Sequence, residues 1–162
     1  MKLIVRGKKR EFISAIGKSL NMLLPTEANT STQSDKLTAL WLSPDEWMII
    51  SNDITEKDTN KYILEENLRN SISKTNLGAV IDVTDHFVML ELEGANIYEL
   101  FSSGSPFNFN EFKEKKGSTT QTLLNNIDVI IQNKGENLVN LFVRRSFSEH
   151  LYSWINDSAS RL

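Results

Sequence analysis

The sequence predicts an α+β fold in which mixed or antiparallel sheets pack against helices. Two kinds of segment support this: β-prone runs that come in pairs joined by turn residues, and longer stretches whose apolar residues recur every three or four positions. These segments follow one another as strand, helix, two strands, helix and two strands, and part of this order then recurs. We therefore predict two βαββ-like halves, a duplication in element order without a clear residue repeat.

The first segments are a strand and a helix. Residues 3–5 form a short β-prone run, which Gly7 ends. Apolar residues at helical spacing follow, and Pro25 prevents the helix from continuing. These residues, which would share one buried face, are Phe12, Ile13, Ile16, Leu20, Leu23 and Leu24. Residues 26–36 are small and polar, so we predict a mobile surface loop there.

A hairpin and a second helix are predicted next. Strand segments at 37–42 and 46–51 flank Ser43-Pro44-Asp45, in which proline presets the backbone angle of the second turn position. Residues 53–56 have the spacing of a capping box, and a helical pattern then continues until Gly78. The apolar residues of that helix are Leu64, Leu68 and Ile72.

The remainder of the chain is predicted to contain more strands and a final helix. The strand segments are 79–84, 87–93, 119–124, 127–132 and 138–143. A short helix at 96–102 precedes the last three strands, which form a meander with turns at Asn125-Asn126 and at residues 134–137. The final helix is predicted to begin at a capping box that runs from Ser146 to Glu149. Its buried face would consist of Phe147, Leu151, Trp154 and Ile155.

Composition and charge describe one ordinary domain, 1–162. A chain of 162 residues with 40% hydrophobic and 24% charged residues can bury a core without a disulfide or metal, and it contains no cysteine. The formal net charge of -3 is small and mixed in sign, which argues against a nucleic-acid partner. Because no apolar stretch reaches membrane-spanning length, we expect a cytoplasmic protein that makes no membrane contact.

No residue pattern identifies a catalytic, cofactor-binding or metal site. His86 and His150 lie far apart without ligand spacing, and the glycines of a dinucleotide-binding loop are absent. Asp82 and Asp85 could form an acid and base pair, but carboxylates so close in sequence more often belong to a turn or a helix cap. We therefore predict that the chain alone binds neither flavin nor nicotinamide and is not catalytic.

Four residues are candidates for an interface or an anion contact. Arg144 and Arg145 are consecutive, so as strand residues they would point to opposite faces, and one of them could clamp a carboxylate or a phosphate. The alternative is that both are solvated or weakly paired with surface acids. Phe107 and Phe109 could anchor a partner, or they could fold back onto the core.

Short segments along the chain occur in a distinctive order and spacing. They are the hairpin from Leu40 to Trp47, residues 82–85 and 104–106, Thr119 to Leu124, and Leu141 to Phe147. In this order they resemble the gamma subunit of heterotetrameric sarcosine oxidase, and the resemblance covers nearly the whole chain. It implies a fold similar to the folate-binding domain of aminomethyltransferases, which include the glycine-cleavage T-protein.

The resemblance also implies a structural, non-catalytic subunit that assembles with alpha, beta and delta subunits. Those subunits would carry FAD, FMN, NAD and tetrahydrofolate, and the complex would oxidise sarcosine to glycine with hydrogen peroxide and methylenetetrahydrofolate as further products. An alternative is a stand-alone tetrahydrofolate-binding or aminomethyltransferase-like module of one-carbon metabolism. In that alternative, Arg144 or Arg145 would hold the glutamate tail of the folate, and Asp82 would be the acid or base to test.

Overall fold

The computed structural model of the chain describes residues 1–52 and 62–162. These residues form two compact units, Met1–Thr84 and Asp85–Leu162. Each unit contains one antiparallel sheet and its own cluster of buried apolar side chains. The α+β class predicted from the sequence is confirmed. A single domain over 1–162 stays a prediction.

The first unit combines a five-stranded sheet with helices. Its elements are β1 (Lys2–Arg6), α1 (Arg10–Leu20), β2 (Ser31–Gln33), β3 (Leu37–Ser43), β4 (Glu46–Ser51), α2 (Ile63–Leu68), a π-helical segment (Arg69–Ser73) and β5 (Ala79–Asp82). The strand order is β2-β3-β4-β1-β5. Phe12, Ile16, Trp47 and Ile72 belong to the core that joins the helices to the sheet, because the apolar stripes of both helices face it.

The second unit combines a four-stranded sheet with helices. Its elements are β6 (Phe87–Glu93), α3 (Ile97–Gly104), α4 (Asn110–Glu114), β7 (Thr119–Leu124), β8 (Ile127–Gly135), β9 (Leu138–Arg144) and α5 (Arg145–Ala159). The strand order is β6-β9-β8-β7. Val88, Leu90 and Leu92 alternate along β6 and pack against the core, which includes Leu141 and Leu151.

The two units share one order of elements and one pattern of strand pairing. Each contains a strand, a helical segment, a three-strand meander and a further helix, and the last strand of the meander pairs antiparallel to the first strand of the unit. The central strand of each meander also shifts register near its hairpin, between Trp41 and Ser43 in β3 and between Asn133 and Gly135 in β8. The predicted duplication is thus confirmed, and β5 is an additional strand of the first unit.

Two boundaries in the first unit differ from the prediction. Helix α1 ends before Asn21, which adopts a left-handed conformation (φ 49°), and not at Pro25. The N–H groups of Asn21 and Met22 donate to carbonyls in the last turn of α1. These carbonyls are therefore hydrogen-bonded although the helix does not continue. The loop predicted over 26–36 was wrong for residues 31–33, because they pair with β3 as the short edge strand β2.

The start of the final helix also differs. Helix α5 already begins at Arg145, and no side chain among the described residues caps its N-terminus, so the predicted capping box from Ser146 to Glu149 is wrong. The N–H of Arg145 donates to the carbonyl of His86 at 2.9 Å, so a backbone group satisfies this otherwise unpaired amide. Phe147 is 46% exposed and does not share the buried face of the helix. The capping-box pattern at 53–56 lies outside the described residues.

Candidate functional site

The candidate site is a groove on the second unit's sheet, lined mainly by strand residues that alternate with the core residues and also by Pro106, Thr122 and the core residue Val129. It has a volume of about 470 Å³. The lining side chains include Phe87, Gln121, Leu123, Asp128, Ile130 and Arg144. We call this feature the sheet groove.

Strand register brings these side chains together. Phe87 pairs with Arg144 across β6 and β9. The pairing of Val129 with Val143 places Asp128 beside Arg144 on the same face, and Leu123 pairs with Asp128. One row across the sheet therefore carries an aromatic ring, a cation, a carboxylate and an aliphatic side chain.

Arg144 is exposed at the end of β9. Within residues 1–52 and 62–162, its guanidinium makes no ion pair and no hydrogen bond. A guanidinium presents planar donors that fit a carboxylate or phosphate in a bidentate manner, so Arg144 is available to an external anion. Phe87 and Leu123 place apolar surface at the two ends of this row, which suits contact with a protein surface better than with a small free anion.

Arg145 lies in a different environment. It is the first residue of α5, so the prediction that both arginines are strand residues was wrong. Its Nε donates to the carbonyl oxygen of Asp85 at 2.6 Å, and its Nη2 donates to Oδ1 of Asp85 at 3.0 Å. The Asp85 side chain is 97% exposed, so water screens this pair and its contribution to stability is small.

The aromatic loop folds back onto the core. Phe109 is 3% exposed, and Phe107 packs against the same cluster with ring centroids 4.9 Å apart. Both rings also lie within 6 Å of the ring of Phe112. Phe109 therefore packs onto the core, which is one of the two alternatives for this loop. A partner contact by the half-buried Phe107 stays a prediction.

The other polar candidates are dispersed. Oδ1 of Asp82 accepts the backbone N–H of Thr84 at 2.8 Å, which is the geometry of a turn. Nε2 of His150 lies 3.3 Å from Nδ2 of Asn125, and the exposed His86 contributes its carbonyl to the start of α5. In the part of the chain that the structure describes, no cluster of three or more potential metal ligands occurs. None of the helices in the same ranges combines the length and apolarity that crossing a membrane requires.

Among the described residues, Asp45 and Tyr98 have shifted pKa values with clear physical causes. The hydroxyl of Ser43 donates to Asp45 at 2.8 Å and, together with the charge of Arg6, lowers the pKa of Asp45. Burial raises the pKa of Tyr98, whose hydroxyl finds no hydrogen-bond partner among the described residues. The ring of Tyr98 packs against Phe101 and the core of the second unit.

Part of the sheet groove was accessible from the sequence and part was not. Arg144 was identified as a candidate, whereas Phe87, Leu123 and Asp128 were missed. A two-residue turn at Asn125-Asn126 fixes which residues of β7 and β8 pair, so the turn residues alone predict the cross-strand pairing of Leu123 with Asp128. The pairing of β6 with β9 has no such signal, because distant segments form it.

Comparison with known proteins identifies the family. Residues 6–161 match the sarcosine oxidase, gamma subunit family. The chain belongs to this family. The sarcosine oxidase subunit gamma of Corynebacterium sp. (strain U-96) is 28% identical over 123 residues, which are 75% of this chain and 55% of that protein. The matched region is therefore about half the length of that curated relative.

A solved structure shares the fold of this sarcosine oxidase gamma subunit family member. It is a chain of the heterotetrameric sarcosine oxidase from Corynebacterium sp. U-96, in complex with pyrrole 2-carboxylate. The TM-score is 0.86 at 22% sequence identity, and the match covers 99% of this chain and 79% of that chain. The architecture built from βαβββα units is therefore found in a known protein.

Proposed function

We propose that the chain is the gamma subunit of a heterotetrameric sarcosine oxidase and has a structural role in its assembly. Its partners are alpha, beta and delta subunits, which carry FAD, FMN, NAD and tetrahydrofolate. In this proposal the cytoplasmic complex converts sarcosine to glycine with hydrogen peroxide and methylenetetrahydrofolate as further products. The observation that carries the proposal is the family match over residues 6–161.

The sheet groove is the proposed contact for a larger subunit. Arg144 has no partner in the described chain, so a carboxylate on another subunit gains a charge-assisted hydrogen bond there without displacing an internal one. Phe87 and Leu123 provide apolar surface around that bond, and interface hot spots commonly combine an arginine with buried apolar groups. The adjacent Asp128 disfavours a second carboxylate and therefore restricts how the partner is oriented.

The experiment is co-expression of the tagged chain with the candidate alpha, beta and delta subunits encoded by the same genome. We expect co-elution in size-exclusion chromatography, flavin absorbance in the complex and sarcosine-dependent peroxide formation. The chain alone is expected to show neither flavin absorbance nor turnover. Sarcosine oxidation by the isolated chain, or its separation from all three partners, would refute the proposal.

Arg144→Ala tests the contact within this experiment. We expect the variant to bind the other subunits at least tenfold more weakly with an unchanged melting temperature, because truncating an interface hot spot costs roughly 2 kcal/mol of binding free energy. Lys116→Ala is the matched control, since it also removes one exposed positive charge from the second unit but lies outside the groove. Equal affinity of Arg144→Ala and Lys116→Ala would remove the sheet groove from the interface.

The stand-alone folate module is the less favoured alternative. Arg145 already binds Asp85, and Asp82 is engaged in its own turn, so the described structure does not gather these candidates at one site. We expect no thermal stabilisation of the isolated chain by saturating tetrahydrofolate. A saturable increase in melting temperature that Arg144→Ala abolishes would favour the alternative.

A further inference from the structure

A second groove lies on the first unit, along α1 and the segment that follows it. Its volume is about 780 Å³. The lining residues include Arg10, Ile13, Gly17, Lys18, Met22 and Leu23. We call this feature the helix groove.

Leu23 is held in an exposed position at the edge of the helix groove. Its side chain is 83% exposed. The neighbouring backbone is fixed, because the N–H of Met22 donates to the carbonyl of Gly17 at 3.1 Å and the hydroxyl of Thr32 donates to the carbonyl of Leu23 at 2.7 Å. Leu24 is only 5% exposed and anchors the segment from the other side. A partner that covers Leu23 therefore meets apolar surface on backbone that is already ordered.

Gly17 leaves the helix groove open. It lies inside α1, where glycine is less favourable than alanine. A Cβ added at Gly17 would meet only the carbonyl oxygen of Met22, at 3.4 Å, which is an ordinary van der Waals distance. The packing of the described chain therefore does not require glycine here, and the absent side chain leaves space in the helix groove.

The charge around the helix groove indicates the chemistry of its occupant. Arg10 and Lys18 line the groove, and none of its lining residues in the ranges 1–52 and 62–162 is acidic. This local excess of positive charge occurs in a chain whose formal net charge is -3. Apolar surface between cations is complementary to an apolar segment flanked by carboxylates.

We propose that the helix groove docks an apolar segment of a larger oxidase subunit, with carboxylates of that segment facing Arg10 and Lys18. This inference rests on the proposed function, since it names a second surface of the same assembly. The partner's apolar side chains fill the space above Gly17 and contact Leu23. Its carboxylates bind at the cationic edge.

Affinity measurements on the assembled system test this docking surface. A preparation of the alpha, beta and delta subunits is titrated with the wild-type chain, Gly17→Ala, Leu23→Ala and Leu162→Ala. We expect Leu23→Ala to weaken binding at least tenfold without a change in melting temperature, because this side chain is exposed in the free chain. Leu162→Ala removes another exposed leucine from outside the groove and is expected to bind like the wild type.

Gly17→Ala separates docking from folding. We expect its melting temperature to rise by about 2 °C, since alanine favours the helix, while its affinity falls at least tenfold because the methyl group occupies the groove. Lys18→Glu should also weaken binding, and added salt should reduce the difference between this variant and the wild type.

The outcomes of this titration distinguish the two proposals. Wild-type affinity of both Gly17→Ala and Leu23→Ala in an assembly that forms normally would overturn the helix groove and leave the proposed function in place. Failure of the wild-type chain to assemble would overturn both. Dimerisation of the chain alone that Leu23→Ala abolishes would assign the groove to a second copy, and this too would overturn docking of a larger subunit.

Discussion

Asn133 is the polar side chain on which we expect the second unit to depend most. It is 1% exposed on β8. Its Nδ2 donates to the carbonyls of Phe112, Lys113 and Lys115 at 2.8, 3.2 and 3.3 Å, and its Oδ1 accepts the N–H of Gly135 at 2.9 Å. The three carbonyls lie in and just after the last turn of α4, where the N–H of Lys115 reaches the carbonyl of Phe112 only at 3.4 Å. One strand side chain therefore caps a helix and fixes a β-bulge.

Asn133→Ala removes both functions at once. The carbonyl of Phe112 is buried at this contact and would keep only the long bond from the N–H of Lys115, at 3.4 Å, so the loss of the amide donor costs about 1–3 kcal/mol. The lost bond to Gly135 adds roughly 1 kcal/mol, whereas water partly replaces the two longer bonds. We expect the free energy of unfolding to fall by about 2–4 kcal/mol, which corresponds to a decrease in melting temperature of roughly 5–15 °C for a chain of this size.

Urea denaturation followed by circular dichroism measures this loss. The midpoint should shift at an unchanged slope, since the native surface area stays the same. Asn133→Asp should destabilise at least as much, because a carboxylate oxygen would face carbonyl oxygens where an amide donor stood. Asn156→Ala, at an exposed position on α5, is the control and should stay within about 0.5 kcal/mol. A loss below about 1 kcal/mol for Asn133→Ala would refute the reasoning.

Three further predictions concern a close contact, a buried hydroxyl and a charged turn. Gly78→Ala should lower the free energy of unfolding by about 3 kcal/mol in a denaturant titration, because its Cβ would lie 2.3 Å from a carbonyl oxygen of β1. The control Gly94→Ala meets nothing within 4 Å and should not destabilise; equal effects would contradict the steric argument. Tyr98→Phe should raise the free energy of unfolding by up to about 1 kcal/mol, because it removes a buried hydroxyl that lacks a partner in the described chain; a clear loss would show that this hydroxyl is bonded. Ser43→Ala should raise the pKa of Asp45 in an NMR pH titration, because the serine hydroxyl is the largest cause of its lowering. The lowered pKa stabilises the folded state at pH values above the unfolded-state pKa, and this stabilisation is lost as pH falls through the folded-state pKa. Acid should therefore reduce the free energy of unfolding more in the wild type than in Ser43→Ala. Equal acid sensitivity of the two proteins would exclude this linkage.

Strands were predictable where alternating apolar residues end at a turn with its own chemistry. Asn125 and Asn126 adopt left-handed conformations with φ of 50° and 63°, as a two-residue hairpin turn requires. Strands β7, β8 and β9 consequently begin at the predicted residues. Helix α3 also begins within one residue of its predicted start at residue 96.

Elements that depend on distant partners were not predictable in this way. Strand β2 has three residues and no apolar alternation, and it exists because β3 offers an edge. Helix α4 has five residues, too few for a helical period to be visible, and Asn133 caps it from another part of the sequence. The same limit applies to the sheet groove, since Phe87 and Arg144 meet only through the pairing of β6 with β9.

The absence of a residue repeat in a duplicated fold has a physical explanation. A sheet requires backbone hydrogen bonds and side-chain alternation, and many sequences satisfy both. At the bulge that both meanders share, the side chains of the two units differ in chemistry. In the first unit, Ser43 at this bulge bonds Asp45 in a partly buried turn. In the second unit, Asn133 at the corresponding bulge is buried and caps a helix. Backbone pairing can therefore be preserved while equivalent positions acquire different roles, so the duplication appears in the order of elements and not in the residues.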